Sequence, residues 1–351
     1  MTTAEATPHD RAQPARVAAA ASSAPTASAD FATAEDARRR YLRQDPRAGR
    51  PTAAAVMTSF NKREDVRKNL DAIRAQTVKF DQIVVVDNAS RDGTAAMIRA
   101  EYPEVLLVET PDSSYGACET FNLGFATADA EFLAILDDDV VLPPDWLARM
   151  LAKFATEPPS TALISSHVDE PGTPDWYHRD PEVVRERYMA TFRGCATLAR
   201  KAVIAECGYY DPDFFIYGNE RDLASRVIAS GRRVLQYPSV VVKHGTPFGM
   251  KAGKRSLYYH VRNLWWYLFK HVPWPDVAKF LFQQTAGKAF RGGKKPAADA
   301  VGTIGVFKTI RETPGGAWVV VKATLDAWLG LPKMLKKRRP VRAPDFTLPS
   351  H

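Results

Sequence analysis

The sequence predicts an α/β protein on a mostly parallel, doubly wound sheet, with a basic helical extension toward the C-terminal end. Three observations carry this reading: short apolar runs alternate with helical periods from residue 51 onward, polar residues follow each run, and charge divides sharply along the chain. Strands too apolar to tolerate a wet face suit a parallel sheet covered by helices on both sides.

Residues 1–45 are rich in Ala, Thr, Ser and Pro and are expected to form a disordered leader. The α/β domain is expected over 46–250 and the basic, aromatic helical region over 251–351. Ala53–Met57 is a strand of mostly small residues ending at Thr58, Ser59, Phe60 and Asn61. Val66, Leu70 and Ile73 fall at i, i+4 and i+7, one face of a helix. Gln82–Val86 is a β-branched strand, followed by a polar turn over 87–93 and a short helix from Thr94. Val105–Val108 and Glu131–Leu136 complete the early strands, the second ending in Asp137, Asp138 and Asp139. An amphipathic helix opens at Asn219 and Glu220 and stops at Gly231, and Ser239–Val242 is a strand leading to His244. If the strands are parallel, Thr58–Asn61, Asp87–Asn88 and Asp137–Asp139 converge on one crevice, where doubly wound folds bind ligands.

The chain has 351 residues, 45% hydrophobic and 25% charged, which excludes collagen-like, coiled-coil and wholly disordered classes. Three cysteines without a CxxC pair exclude a disulfide scaffold and suit a reducing compartment. The apolar run Leu264–Phe269 is far shorter than the ~20 residues of a membrane span, and with Glu5 and Asp10 interrupting the first residues no signal peptide is expected there. The expected location is the cytoplasm, either free or peripheral at the inner face of the plasma membrane. Residues 51–250 carry 21 basic and 29 acidic side chains, net −8, whereas 251–351 carry 19 and 5, net +14. Trp and Tyr beside Lys and Arg suit an anionic membrane surface; a helical appendage packed on the sheet explains the same residues. Nucleic acid is disfavoured, since no nucleic-acid motif is present and the crevice is acidic.

Three adjacent carboxylates repel one another, and a divalent cation relieves that repulsion; oxygen-rich sites favour Mg²⁺ or Mn²⁺. Asp87 at a strand end suits hydrogen bonds from a nucleobase or ribose, but taken alone it reads first as a turn residue. Asn88, Asp92 and Gly93 read as turn residues. Glu220 reads either as a helix-start residue whose charge the helix dipole stabilises or as a general base at the crevice rim. Asp222 is expected to pair with Arg226 at i+4 and support the loop. His244 is a candidate ligand for Mn²⁺, and Cys195 reads as a small buried hydrophobe.

Taken together, these segments resemble a family 2 glycosyltransferase with the nucleotide-diphospho-sugar (GT-A) fold, of the rhamnosyltransferase-like kind, over residues 51 to about 270. VMTSFN (56–61) is similar to that family's first strand and loop, and VVVDNASRDGT (84–94) resembles its V-D-N-x-S-x-D-G-T segment. LDDDV (136–140) followed by PDWL (144–147) resembles its D-x-D segment, and GCAT (194–197) the strand before the acceptor site. YGNERDL (217–223) with Arg226 resembles the E-D-x-D-L-x-x-R region, VVVKH (240–244) the histidine strand, and Arg262-Asn263 the pair that follows. The resemblance implies that Thr58, Asn61, Asp87, Asp137 and Asp138 bind the donor and that Asp139 and His244 hold Mn²⁺ or Mg²⁺. It further implies Glu220 as catalytic base, with Gly194, Asp222, Arg226 and Arg262 on the acceptor side or in support. The family's Glu-Asp pair reads Asn219-Glu220 here, so the acid at the base position is one methylene longer. The implied reaction is inverting, metal-dependent transfer of a sugar from a dTDP-, UDP- or GDP-linked donor to a glycan or lipid-linked acceptor. The alternative is a non-catalytic sugar-nucleotide or membrane-binding module of the same fold. Aspartyl-phosphate chemistry is disfavoured by the lack of an acid after the first strand, and the phosphate-binding motifs GxxxxGK[ST] and GxGxxG are missing.

Overall fold

The computed structural model describes residues 49–290 and 306–347; the expected leader lies outside the described residues. The first half alternates β1 (Ala53–Ser59), α1 (Arg63–Arg74), β2 (Gln82–Asp87), α2 (Thr94–Glu101), β3 (Leu106–Glu109), α3 (Ala117–Thr127) and β4 (Phe132–Leu136). The second half adds β5 (Val140–Val141), α4 (Trp146–Thr156), β6 (Thr161–Asp169), α5 (Asp175–His178), α6 (Pro181–Val184), β7 (Arg187–Tyr188) and β8 (Ala196–Arg200). After them come α7 (Lys201–Glu206), a 3₁₀ turn (Pro212–Phe214), α8 (Asn219–Ala229) and β9 (Arg233–His244). The C-terminal region is helical: α9 (Lys254–His271), α10 (Trp274–Phe290), α11 (Val306–Glu312), α12 (Gly316–Leu329) and α13 (Leu331–Lys336).

The strands form one sheet in the order β3-β2-β1-β4-β8-β6-β9-β5, with β7 on β9. Neighbours from β3 to β4 are parallel. Beyond β4 the sheet is mixed rather than mostly parallel, because β8 runs antiparallel to both β4 and β6 while β6 and β9 are parallel. The physical reason is a change of crossover: β6 returns to β8 through short helices and the β7 strand rather than through a covering helix. Strand β9 is longer than the Ser239–Val242 run suggests; it skips register opposite Ser166 and His167, so Pro238 sits where no ladder donor is required.

Side chains alternate across β1 as a strand requires. Ala54 and Val56 join the core beneath α3 and α8, whereas Ala53, Ala55 and Met57 join the opposite core with Val66, Leu70 and Ile73 of α1. Small residues let α3 approach closely: a Cβ on Gly124 would lie 2.5 Å from Val56 Cγ1. The first of these cores continues into the C-terminal region, where Trp266, Tyr267, Leu268 and Phe269 of α9 pack with Leu223 and Val227 of α8. Helix α9 is therefore seated in the core rather than appended to it.

Candidate active site

A cleft of about 600 Å³ opens at the end of β4. Its floor carries Asp137, Asp138 and Asp139, which follow β4, and His244, the last residue of β9. The pairing of β5 with β9 sets Val140 opposite His244, and this fixes the histidine beside the acids. His244 Nε2 lies 3.0 Å from Asp139 Oδ1 and 3.6 Å from Asp137 Oδ2, while Nδ1 lies 2.9 Å from Glu170 Oε1. Thr246 donates to Asp139 Oδ2 at 2.9 Å, and Lys62 Nζ stands 3.7 Å from the same oxygen. Behind them, the buried Asn69 of α1 donates to the Asp137 carbonyl at 2.7 Å and ties the acid turn to the helix layer.

The electrostatics of this floor follow from crowding. Burial pushes Asp138 up to about 7, with Asp137 and Asp139 adding to the effect. Burial likewise raises Asp137, against the attraction of His244. Burial would also raise Asp139, but its hydrogen bond to His244 prevails and holds it near about 2. Burial alone would depress His244; its hydrogen bonds to Asp139 and Glu170 reverse this and lift it to about 10. The imidazolium thus neutralises part of an acid cluster that otherwise exceeds its local cations. Asp137, Cys195 and His244 each offer an atom within 4.8 Å of the others, and burial pushes the Cys195 thiol well above its ordinary value.

Glu220 enters the same cleft from the first turn of α8. Burial raises its carboxyl to about 7, and the charge of Asp137 adds to the rise. Asn219 Nδ2 donates to Glu220 Oε1 at 3.0 Å. Facing it, Gly194 leaves the space that the carboxylate needs: a Cβ there would lie 2.5 Å from Oε1. The loop into α8 is strained, with Phe215 and Tyr217 both at φ 65° and Gly218 at 76°. The amide Nδ2 of the buried Asn263 holds that loop, reaching the carbonyls of Phe214 at 2.9 Å, Ile216 at 2.8 Å and Tyr217 at 2.7 Å. Tyr217 stacks on His260 of α9 at 4.2 Å between ring centroids, and both line the cleft.

The remaining expected residues stand elsewhere. Thr58 is the penultimate residue of β1, opposite Val86, and Asn61 takes a left-handed φ of 54° while its Oδ1 accepts from Arg91 N at 2.7 Å. Their neighbours Phe60 and Lys62 line the cleft. Asp87 is buried, its Oδ1 accepting from Ser59 Oγ at 2.7 Å and Ser90 Oγ at 2.6 Å and its Oδ2 from Ser90 N at 2.9 Å. Asp92 caps the following turn, accepting from Thr94 N and Arg63 N. Asp222, in the first turn of α8, is fully buried and pairs with Arg226 Nη2 at 2.7 Å, and also with Lys270 Nζ at 2.6 Å and His271 Nε2 at 2.8 Å. Arg262 donates to the carbonyls of Asp213 and Phe214 at 3.0 Å and lies 4.1 Å over the Trp266 ring. Asp222, Arg226 and Arg262 support the site from behind rather than lining it. Glu170, Thr246, Lys62, Asn69 and Arg193 were not singled out in the sequence. Thr246 is two residues past His244, a signal within reach, whereas Glu170 follows β6, whose polar centre hides the strand.

Sheet, cleft and helical extension together define the nucleotide-diphospho-sugar transferase (GT-A) fold. The profile described as Glycosyl transferase family 2 matches residues 54–251, more than half the chain, and the chain belongs to this family. Among named relatives, Protein CgeD of Bacillus subtilis (strain 168) is 24% identical over 176 residues, covering 45% of this chain and 41% of that protein. The pre-mycofactocin glycosyltransferase of Mycobacterium tuberculosis is 24% identical over 200 residues, covering 51% and 41%. The chain thus spans about two fifths of the length of either relative. Among solved structures, the mannosyltransferase PcManGT from Pyrobaculum calidifontis, in complex with GDP-Man and Mn²⁺, superposes with a TM-score of 0.50 at 22% identity, covering 92% of this chain and 84% of that one. S. aureus TarS 1–349 in complex with UDP-GlcNAc superposes with a TM-score of 0.55 at 13% identity, covering 82% and 84%. Similarity at this level establishes the common fold.

Proposed function

We propose that the chain is an inverting, metal-dependent glycosyltransferase that moves a sugar from a nucleoside diphosphate to an acceptor hydroxyl. The observation that carries this reading is the convergence in one cleft of an acid floor with His244 and a single facing carboxylate, Glu220. A single base on α8, set against acids that would hold the metal, suits a single displacement with inversion.

The residues present fit a divalent cation. Asp137 and Asp139 offer hard oxygen ligands, His244 offers Nε2, and Glu170 on Nδ1 sets the tautomer that leaves Nε2 free once its proton is displaced. When bound, Mn²⁺ or Mg²⁺ supplies Lewis-acid neutralisation of the departing diphosphate. Mn²⁺ accompanies the donor in the Pyrobaculum structure, which supports the same cofactor class here. Lys62 and Arg193, both lining the cleft, bring further positive charge toward that diphosphate. Thr58, Asn61 and Asp87, beside Phe60 and Lys62 of the cleft lining, are assigned to the nucleoside end of the donor. A carboxylate offers about four lone-pair sites; the three hydrogen bonds Asp87 accepts leave it one for a base or ribose donor. Glu220 takes the acceptor hydroxyl's proton as that oxygen attacks the anomeric carbon. Asn219 holds its carboxylate in the space that Gly194 leaves, and Tyr217 with His260 offers an aromatic wall for the acceptor.

The test is a screen of the purified chain against UDP-, dTDP- and GDP-sugars with Mn²⁺ or Mg²⁺, scored by release of nucleoside diphosphate. Release with one donor that requires metal supports the proposal. Tight donor binding without turnover across a broad acceptor panel would favour a non-catalytic module.

A further inference from the structure

Helix α12 is built inside out. Its small residues Gly316, Ala323 and Ala327 are buried, and Trp266 of α9 donates its Nε1 hydrogen to the Ala327 carbonyl at 3.1 Å. Its large apolar residues face solvent: Trp318 is 69% exposed, Val321 46%, Leu325 57% and Leu329 80%, and at the edge of the stripe Trp328, 50% exposed, leans on Trp265 and Phe269 of α9. At about 100° per residue these five positions fall within a stripe ~100° wide, the geometry of an apolar helix face turned away from the protein. A contiguous exposed patch of this kind marks an interaction surface. The only charged side chains on α12, Lys322 and Asp326, neutralise each other at 2.5 Å.

The surroundings of the stripe say what covers it. At its first turn, Trp318 shares a pocket of about 390 Å³ with Lys254, Arg255, Tyr258 and Lys322, so aromatic rings and cations stand together. Past its last turn the chain presents exposed Lys336 and Arg339. Trp and Tyr favour the boundary between lipid and water, and Lys and Arg favour anionic headgroups. Among the described residues no helix is long and apolar enough to cross a membrane, so an apolar face of this length would lie along a bilayer.

We propose that this face seats on an anionic lipid bilayer, with Trp318, Val321, Leu325, Trp328 and Leu329 entering the interface and Lys254 and Arg255 meeting the headgroups. Lys251 and His260, which flank those cations in sequence, line the cleft, so the bilayer adjoins the cleft mouth. The proposal stands on the helix face and its cations, independently of the transfer reaction.

The experiment is sedimentation of the full chain with vesicles of phosphatidylcholine alone or mixed with phosphatidylglycerol. Wild type should pellet with the mixed vesicles, weaken in high salt and prefer them over phosphatidylcholine alone. Each exposed large apolar side chain is worth roughly tenfold in partitioning. Trp318→Ala and Leu329→Ser singly should each cost about that much, and Trp318→Ala/Leu325→Ser/Leu329→Ser at least about 100-fold, with melting unchanged. Lys254→Gln/Arg255→Gln should remove most of the preference for phosphatidylglycerol. Wild type remaining in the supernatant would overturn the proposal, as would equal pelleting of folded single and triple variants. A stable dimer by light scattering that the triple variant splits would assign the face to a second copy and overturn it equally.

Discussion

Glu220→Gln separates chemistry from stability because the two should move in opposite directions. Glutamine keeps the side-chain length and a carbonyl oxygen for Asn219, but it cannot take a proton. Loss of general-base assistance typically costs ~10²–10⁴-fold, here falling mainly on kcat if donor and acceptor still bind. Stability should rise instead. Burial lifts this carboxyl from 4.5 to about 7, so the native chain holds the proton more tightly than the unfolded chain does. Between those two values the folded state binds more protons, and stability is lost as pH rises. At pH 8 the charged glutamate therefore costs up to about 3 kcal/mol, a penalty that glutamine removes. The variant should melt higher than wild type at pH 8 and close to it near pH 4. In wild type the kcat profile should carry an acid limb at or below about pH 7, because a cation near Asp137 reduces one contributor to the shift. Steady-state release of nucleoside diphosphate and calorimetric melting at the two pH values check both halves. A glutamine variant that turns over like wild type, or melts lower at pH 8, would refute the reasoning.

Three further outcomes are expected. Gly194→Ala would place a Cβ 2.5 Å from Glu220 Oε1, displacing a flexible carboxylate at small cost to folding; a misplacement of about 1 Å lowers kcat by up to about 100-fold, while Tm stays close to wild type. Asp222→Asn strips the shared partner from Arg226, Lys270 and His271 and should cost about 3–5 kcal/mol by chemical denaturation. Because Asp222 is held well below the ordinary carboxylate range, its contribution is present above about pH 4 and disappears as pH falls further. Removal of metal with EDTA should abolish turnover, restored by Mn²⁺ or Mg²⁺, and Asp139→Asn should weaken the restoration; full turnover in metal-free protein would contradict the assigned ligands.

What could be read from the sequence depended on how openly each element shows its burial. β1, β2 and β4 are apolar runs whose neighbours cover both faces, and their polar ends follow directly; hence the sequence alone puts Asp137–Asp139 at a strand end. β6 was illegible because Ser165, Ser166 and His167 interrupt it. Inside the protein two of these are satisfied by tertiary partners: Ser165 Oγ accepts from Thr197 Oγ1 at 2.9 Å, and Ser166 Oγ accepts from Trp146 Nε1 at 2.8 Å. Such long-range hydrogen bonds leave no local pattern, and with β6 hidden, Glu170 at its end was hidden too. The antiparallel insertion of β8 is likewise a pairing choice between distant segments. Asp222 with Arg226 was legible as an i+4 pair, whereas Lys270 and His271, almost fifty residues on, were not. In the C-terminal region the composition announced aromatics and cations, but only packing against α9 reveals that α12 turns its small side inward.

The basic tail also answers a need of the acidic body. Lys270 Nζ lies between Asp211 and Asp222, at 2.7 and 2.6 Å, Lys337 joins Asp211 and Asp213, and Lys333 reaches Asp213 at 2.7 Å. All three lysines lie past residue 251, where the family match stops, and all three carboxylates lie before it. A chain cut at that point would keep the acid floor, His244 and Glu220 yet leave Asp211, Asp213 and Asp222 buried without these counterions. The excess of positive charge in the last hundred residues is in part an internal electrolyte, supplied by one half of the polypeptide so that the other half can close. Exchanging tails between relatives should therefore succeed only when the acids travel with their lysines.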